Sequence, residues 1–375
     1  AMRPTYLEVN LAQLKQNLQN IRAKVAPAKV LVVLKANAYG HGVDGVAPFI
    51  APFADYIGVA IAEEGIHLRK LGIQTPILVM GGTLLEQLPD FFEYDLTLAA
   101  SSLDLLTAAE QLAHSTRKRL KTHLKIDTGM ERIGVREYEA EALVEKSLAC
   151  SHLDVEGIFT HFANSELTET ADMPSRIVRA SLQLERFDEV LSIYEKRSVP
   201  HPAIRHTANS GATLSLSQSY YDMVRPGVLF YGVYPARDIE KTIEVKTALT
   251  WKSKVVYSKV TLPGRAVSYG SLWQAGAESR IVTVPCGYAD GYFRRNTNQG
   301  RVLIHGKSYP QVGRVCMDQF MVNAGGDEIK VGDEVTLLGG GITPEEHADW
   351  AGTNEYEVMT NISARVPRVF VGAVK

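Results

Sequence analysis

Residues 32–42 read VVLKANAYGHG. Apolar residues run unbroken from Val30 to Leu34, the pattern of a strand buried on both faces. The run ends on Lys35, and small residues, Tyr39 and two glycines follow. An ammonium at the mouth of a buried strand has two explanations. It caps the strand and snorkels its charge to water, or it is there to react. What gathers at the other strand ends has to decide.

The same beat continues outward from this stretch. Runs with strand character recur at 56–60, 76–80, 96–99, 122–126, 155–160, 203–206 and 223–230. Helical patterns lie between them. Asn10 is placed to cap a helix with Leu11, Leu14, Leu18 and Ile21 on one face. Residues 63–71, 84–92, 103–113, 138–148 and 177–194 repeat apolar positions at three- and four-residue steps. Strand–helix alternation over eight units predicts an α/β fold, an N-terminal (β/α)8 TIM-type barrel over residues 10–240. An open doubly wound sheet is the alternative. No GxGxxG follows the first strand, which counts against its nucleotide-binding form. Beyond residue 240 the runs become short and β-branched, separated by turn residues such as Pro263-Gly264 and Gly332-Asp333. Only 344–352 and 359–363 look helical there. Residues 241–375 therefore predict a C-terminal mostly-β domain, and residues 1–9 a strand that packs with it.

Bulk properties narrow the function. The chain has 375 residues and a formal net charge of −2, so neither nucleic acid nor an anionic membrane is an expected partner. Cys150, Cys286 and Cys316 are too scattered for a disulfide framework or a zinc site. A reducing cytoplasm is the expected location. No apolar run approaches the ~20 residues of a membrane span, and the N-terminus shows no signal region.

A barrel carries its working site at the C-terminal ends of the strands. Lys35 and Tyr39 follow the first strand. Lys125, Asp127 and Arg132 follow the fifth, in HLKIDTGMERIG. His161 and Asn164 follow the sixth; His206, Asn209 and Ser210 follow the seventh; Arg225, Pro226 and Gly227 fall in the eighth. Any one of these alone is weakly informative, but their convergence on one rim is not what chance placement gives. Carboxylates are scarce apart from Asp127, so no metal cage is expected. Arginines and a serine near exposed backbone suit an anion such as phosphate. A strand-end lysine beside a phosphate site is what pyridoxal phosphate chemistry needs. The lysine forms a Schiff base with the aldehyde, and the phosphate anchors the other end.

VVLKANAYGHG closely resembles the cofactor-lysine motif of alanine racemases. The likeness extends through HLKIDTGMERIG, GIFTHFANS, HTANSGATL, RPGVLFYG, VSYGSLW, VPCGYADGYFRR, GRVCMDQ and the terminal NEYEVMTNISARVPRVF. It implies a barrel, a β domain and a head-to-tail homodimer whose active sites combine one barrel with the β domain of the other chain. By that resemblance, Lys35 holds the cofactor and is one base, and Tyr269 from the other subunit is the second. Tyr39, Ser210, Gly227, Val228 and Tyr356 hold the phosphate. Arg225 faces the pyridine nitrogen, and His161 lies between Arg225 and Tyr269. Arg132 reaches the substrate carboxylate with help from the backbone of Met317, and Tyr288 narrows the approach. Lys125 matches a lysine often carbamylated in the family. Two positions depart from the pattern. Glu131 stands where glycine is usual, beside Arg132, and Phe370 where tyrosine is common, a change expected to be peripheral.

The resemblance implies racemisation of L- and D-alanine, supplying D-alanine for peptidoglycan. Removing the α-proton from one face and returning it on the other needs acid–base groups on both sides of the cofactor plane. An arginine at the ring nitrogen withholds its proton. That weakens the electron sink and favours quick reprotonation at Cα over transamination. Three rivals stand beside this reading: a serine or broader amino-acid racemase, a barrel decarboxylase sharing the lysine, and a non-catalytic cofactor carrier built on one barrel. Arg225 and the Tyr269 motif argue against the second, and the β domain against the third.

Overall fold

The computed structural model describes residues 1–373. The chain forms two compact units, one of residues 14–36 and 47–246, the other of 1–13, 37–46 and 247–375. The first is a closed barrel of parallel strands. In order around the barrel they are Lys29–Val33, Tyr56–Val59, Ile77–Val79, Thr97–Ala100, Leu120–Asp127, Leu153–Phe159, Ile204–His206 and Met223–Val224. The last pairs back onto the first through Met223–Lys29 and Val224–Val30. Ile57, Ile77, Leu78, Leu98, Leu124 and Ile158 are fully buried, as parallel strands covered on both faces require.

Helices Leu11–Val25, Ala62–Lys70, Leu103–Thr116, Ala140–Ala149 and Ala180–Lys196 separate successive strands. Asn10 does cap the first, accepting from Gln13 N at 3.0 Å. The predicted helix at 84–92 is split, a 3-10 turn Leu85–Gln87 leading into Leu88–Glu93, with Pro89 at the first turn where its missing N–H costs nothing. The eighth strand is shorter than predicted. It stops at Val224 because Pro226 has no N–H to donate to a ladder. Val228–Tyr231 then forms a 3-10 turn that Gly232 ends at φ +86°.

The second unit is built on a nine-stranded sheet. Its order is Tyr257–Thr261, Ser279–Val284, Phe320–Gly325, Lys307–Val312, Arg301–Ile304, Glu334–Leu338, Leu249–Lys254, Tyr6–Asn10 and Arg368–Val371. The N-terminal strand runs antiparallel to Leu249–Lys254 and parallel to Arg368–Val371. Leu249–Lys254 alternates buried residues with half-buried or exposed ones, the mark of a sheet with one face on the core. The helix predicted at 359–363 instead spans Glu355–Thr360, because the Asn354 side chain accepts from Glu357 N at 3.0 Å and starts it earlier.

The stretch after the first strand differs most from expectation. Residues Lys35–Tyr39 form a helical turn in which Ala36, Asn37, Ala38 and Tyr39 all have φ between +50° and +56°. Left-handed geometry costs about 1–2 kcal/mol per non-glycine residue, so the turn must be held from outside. Gly42 N donates to Asn37 O at 3.0 Å, and Val43 N to Asn37 Oδ1 at 2.8 Å. Arg368 donates twice to Gly40 O, at 3.0 and 2.8 Å. Phe370 is not peripheral: its ring lies where a Cβ on Gly45 would meet it at 2.2 Å, and on Gly42 at 2.9 Å.

Candidate active site

Within the barrel unit, Lys35, Lys125, Arg132, His161, Ser210, Arg225, Gly227 and Val228 all lie at or beyond the C-terminal ends of strands. Tyr39, Tyr269, Tyr288, Met317 and Tyr356 belong to the other unit.

Lys35 begins where Leu34 N still bonds Gly58 O at 2.9 Å, so its backbone is anchored to the barrel. The next residue is anchored too, Ala36 N donating to Glu64 Oε2 at 2.6 Å. The Lys35 amine has lowered proton affinity. Burial is the main cause, the positive charges of Arg132 and Arg225 add to it, and Glu64 opposes. Lys125 is 5% exposed, its Nζ 4.5 Å above the Phe159 ring. Burial, then Arg225 and Arg132, push its proton affinity well below that of an ordinary lysine. His161 is likewise kept neutral by burial and by the surrounding cations Lys125, Arg225, Arg132 and Lys35.

Arg225 is 4% exposed and donates to Thr160 O at 2.8 Å, His206 Nδ1 at 2.9 Å and His161 Nδ1 at 3.3 Å. Burial lowers it to about 9, which leaves it a cation at neutral pH. Asp127 shapes the loop that presents Arg132, its carboxylate accepting from Gly129 N and Glu131 N at 2.9 and 3.1 Å. Glu131 turns away from Arg132 to Arg136, with contacts of 2.9 and 3.1 Å. Its φ of +54° explains why glycine suits this position.

At the seventh and eighth strand ends, the Ser210 hydroxyl accepts from Gly227 N at 2.9 Å and Leu229 N at 3.2 Å. An oxygen that accepts two N–H groups keeps its own proton for donation to a further acceptor. Asn209 caps the short helix behind it. An amine with depressed proton affinity, a fixed arginine and a hydroxyl donor thus share the barrel's C-terminal rim. This donor set fits a phosphorylated aldehyde such as pyridoxal phosphate.

In the other unit, Tyr39 is buried with its ring 6.1 Å from Tyr356, and burial raises its phenol's pKa. Tyr269 is 72% exposed and borders, with Tyr288, Arg314 and Cys316, an open cavity of about 320 Å³. The residue before it is strained. Ser268 has φ +69° and ψ −177°, a region open almost only to glycine. Its hydroxyl secures the conformation by donating to Arg314 O at 2.7 Å. Tyr288 N and Ala289 N bond Cys316 O and Met317 O at 3.1 and 3.0 Å, tying the Tyr288 turn to the segment carrying Met317.

Three interior residues escaped the sequence reading: Tyr56, His123 and Glu156, which continue the hydrogen bonding beyond His206. Alternation along the fifth strand was the available signal, since His123, Lys125 and Asp127 fall two apart. A glutamate beside Gly157, just before the apolar pair Ile158-Phe159, was another.

Comparison with known proteins agrees with this chemistry. Residues 9–235 match the family model of the alanine racemase N-terminal domain, and residues 248–370 that of the C-terminal domain. The chain is 42% identical to an alanine racemase of Carboxydothermus hydrogenoformans, over 99% of this chain and 100% of that protein. It superposes on an alanine racemase of Clostridium difficile 630 with a TM-score of 0.91 at 36% identity, covering 99% and 96% of the two chains. An alanine racemase of Bartonella henselae with covalently bound pyridoxal phosphate gives a TM-score of 0.88 at 25% identity, over 99% and 100%. The chain belongs to the alanine racemase family, whose members are pyridoxal phosphate-dependent racemases.

Proposed function

We propose that this chain interconverts L- and D-alanine by a two-base mechanism, with Lys35 on one face of the cofactor and Tyr269 of the partner subunit on the other. The observation that carries the reading is the half-buried Lys35 amine at the strand end, whose proton affinity is depressed by desolvation and by Arg132 and Arg225. Bound pyridoxal phosphate supplies the aldehyde that ties down the amino nitrogen and the ring that accepts charge from Cα.

The protein's own groups do the rest. Lys35 Nζ would anchor the cofactor and, as a free amine, would move the α-proton on its face. Tyr269 serves the opposite face. Ser210 donates its hydroxyl proton to the phosphate, with the backbone at Gly227 and Val228; Tyr39 and Tyr356 are assigned to the same phosphate. Arg225 would hold the ring nitrogen and, as a guanidinium, would keep its own proton, which would favour return of the proton to Cα. His161 accepts at Nδ1 from Arg225, so its own proton is on Nε2, where it can stabilise a phenolate. Arg132 and the backbone of Met317 orient the substrate carboxylate, and Tyr288 narrows the approach toward a small side chain. Lys125 is the carbamylation candidate, since its depressed proton affinity favours the neutral amine that reacts with carbon dioxide.

The assembly in this reading is a head-to-tail homodimer in the cytoplasm, and the product D-alanine serves peptidoglycan. Among the described residues no helix is long and apolar enough to cross a membrane. The deciding experiment incubates the holoenzyme with L-alanine in deuterated water, with L-serine in parallel. D-alanine carrying α-deuterium is the expected product. Unchanged L-alanine refutes the reading, and equal turnover of serine favours the broader racemase.

A further inference from the structure

Arg225 is a buried cation, yet among the described residues it has no carboxylate partner. Arg132 lies near enough to act on the same surroundings, and it adds positive charge. A buried, unpaired charge is costly, so compensation has to come from elsewhere. The hydrogen bonds show where. His206, which accepts from Arg225 at Nδ1, places Nε2 2.8 Å from His123 Nδ1. His123 Nε2 lies 3.1 Å from Glu156 Oε1, and Tyr56 donates its hydroxyl to the same oxygen. His123 and His206 are fully buried.

Only one proton arrangement satisfies the line. A guanidinium has donors and no acceptor, so His206 Nδ1 must be bare and its proton must sit on Nε2. His123 Nδ1 then accepts, and its proton sits on Nε2 and requires an acceptor. Glu156 is that acceptor. Burial pushes the Glu156 carboxyl up, but the hydrogen bonds from His123 and Tyr56 outweigh this and hold it below the usual carboxylate range. Burial keeps both imidazoles neutral, helped at His206 by Arg225. The line therefore has a cation at one end, an anion at the other and two neutral, oriented imidazoles between.

The packing is fitted to this line. Phe159 stacks on His206 with centroids 4.6 Å apart and an 8° interplanar angle. Gly157 clears space for His123, whose ring a Cβ at that position would meet at 2.4 Å. Glu156 borders a cavity of about 290 Å³ with Asp154, Tyr194 and His201. Asp154 and His201 lie near or before the starts of their strands, so this cavity is on the N-terminal side of the barrel. The Glu156 side chain keeps 20% of its surface exposed, which lowers the cost of its charge.

We propose that Glu156 is a positioning residue for Arg225, acting through His123 and His206 to orient the guanidinium and keep it charged. The inference rests on the proposed place of Arg225 at the cofactor ring. Setting the anion two imidazoles away supports the cation without putting a carboxylate next to the ring nitrogen.

The test uses the holoenzyme. Long-range nitrogen–proton correlation of the histidine side chains should show His123 and His206 as Nε2–H tautomers. A proton on Nδ1 of either would overturn the proposal, whatever any variant does. Glu156→Gln keeps the shape and removes the charge. It should lower kcat about 10-fold, leave KM for alanine within about twofold, and move the alkaline limb of the kcat profile to lower pH. Glu156→Asp should restore part of the loss. Wild-type kcat and an unshifted profile in Glu156→Gln would contradict the role of the charge. Failure of the wild type to racemise alanine would instead refute the functional reading, with the tautomers still as stated.

Discussion

At the scale of single residues, Lys35 differs from an ordinary lysine because burial and two guanidinium groups act on it together. Lys35→Ala should abolish the visible absorption of the bound cofactor and with it racemisation. A retained band on dialysed protein would reject Lys35 as the anchor. Lys35, Arg132, Arg225 and Tyr269 can be proposed from the sequence because each sits in a short local motif, and the structure places the first three on the barrel's C-terminal rim. Glu156 and His123 were not singled out, because their partnership depends on which strands become neighbours. His123 and Glu156 are 33 residues apart and meet only when the fifth and sixth strands pair. Glu131 shows the reverse case. In sequence its carboxylate stands next to Arg132, but the left-handed backbone delivers it to Arg136.

At the scale of elements, the turn Lys35–Tyr39 is the costly one. A Cβ on Gly40, at φ +78°, would come within 2.0 Å of Met359 O. Gly40→Ala should therefore destabilise by about 3 kcal/mol or more. Wild-type-like urea unfolding would show that the turn adapts. By contrast, Leu124→Ala in the fully buried fifth strand should cost about 2–5 kcal/mol by the usual cavity mechanism. The strands could be read from their apolar runs because a parallel barrel buries both faces. The end of the eighth was misjudged because Val228–Tyr231 is as apolar as a strand and only Pro226 marks the break. The left-handed turn gave little signal, since Ala36, Ala38 and Tyr39 are residue types that rarely take positive φ and only Asn37 is of a type that favours it.

At the scale of the molecule, the β unit is tied at its N-terminus by a fully buried carboxylate. Asp290 accepts from Arg3 at 2.6 and 2.9 Å and from Arg365 at 2.6 Å. Burial raises the Asp290 carboxyl, but these arginines more than offset it and hold it below the ordinary range. A depressed carboxylate contributes fully above its unfolded value of ~3.9 and loses that contribution as pH falls through the folded value. Acid unfolding should therefore steepen below about pH 4, and Asp290→Asn should flatten that limb. At neutral pH the same variant should cost about 1.5–3 kcal/mol. An unchanged acid limb would show that Asp290 plays no such part. If the active site is shared between chains, activity per chain should also fall on dilution below the dimer dissociation constant; a fully active monomer would exclude a borrowed Tyr269.

The most direct measurement replaces Tyr269 by phenylalanine and follows α-hydrogen exchange in deuterated water separately from each alanine enantiomer. Loss of one base should slow exchange from one enantiomer by roughly 100-fold or more. The other should still exchange its α-hydrogen on the Lys35 side without inversion. Equal rates from both enantiomers, at wild-type level, would contradict a mechanism with one base on each face.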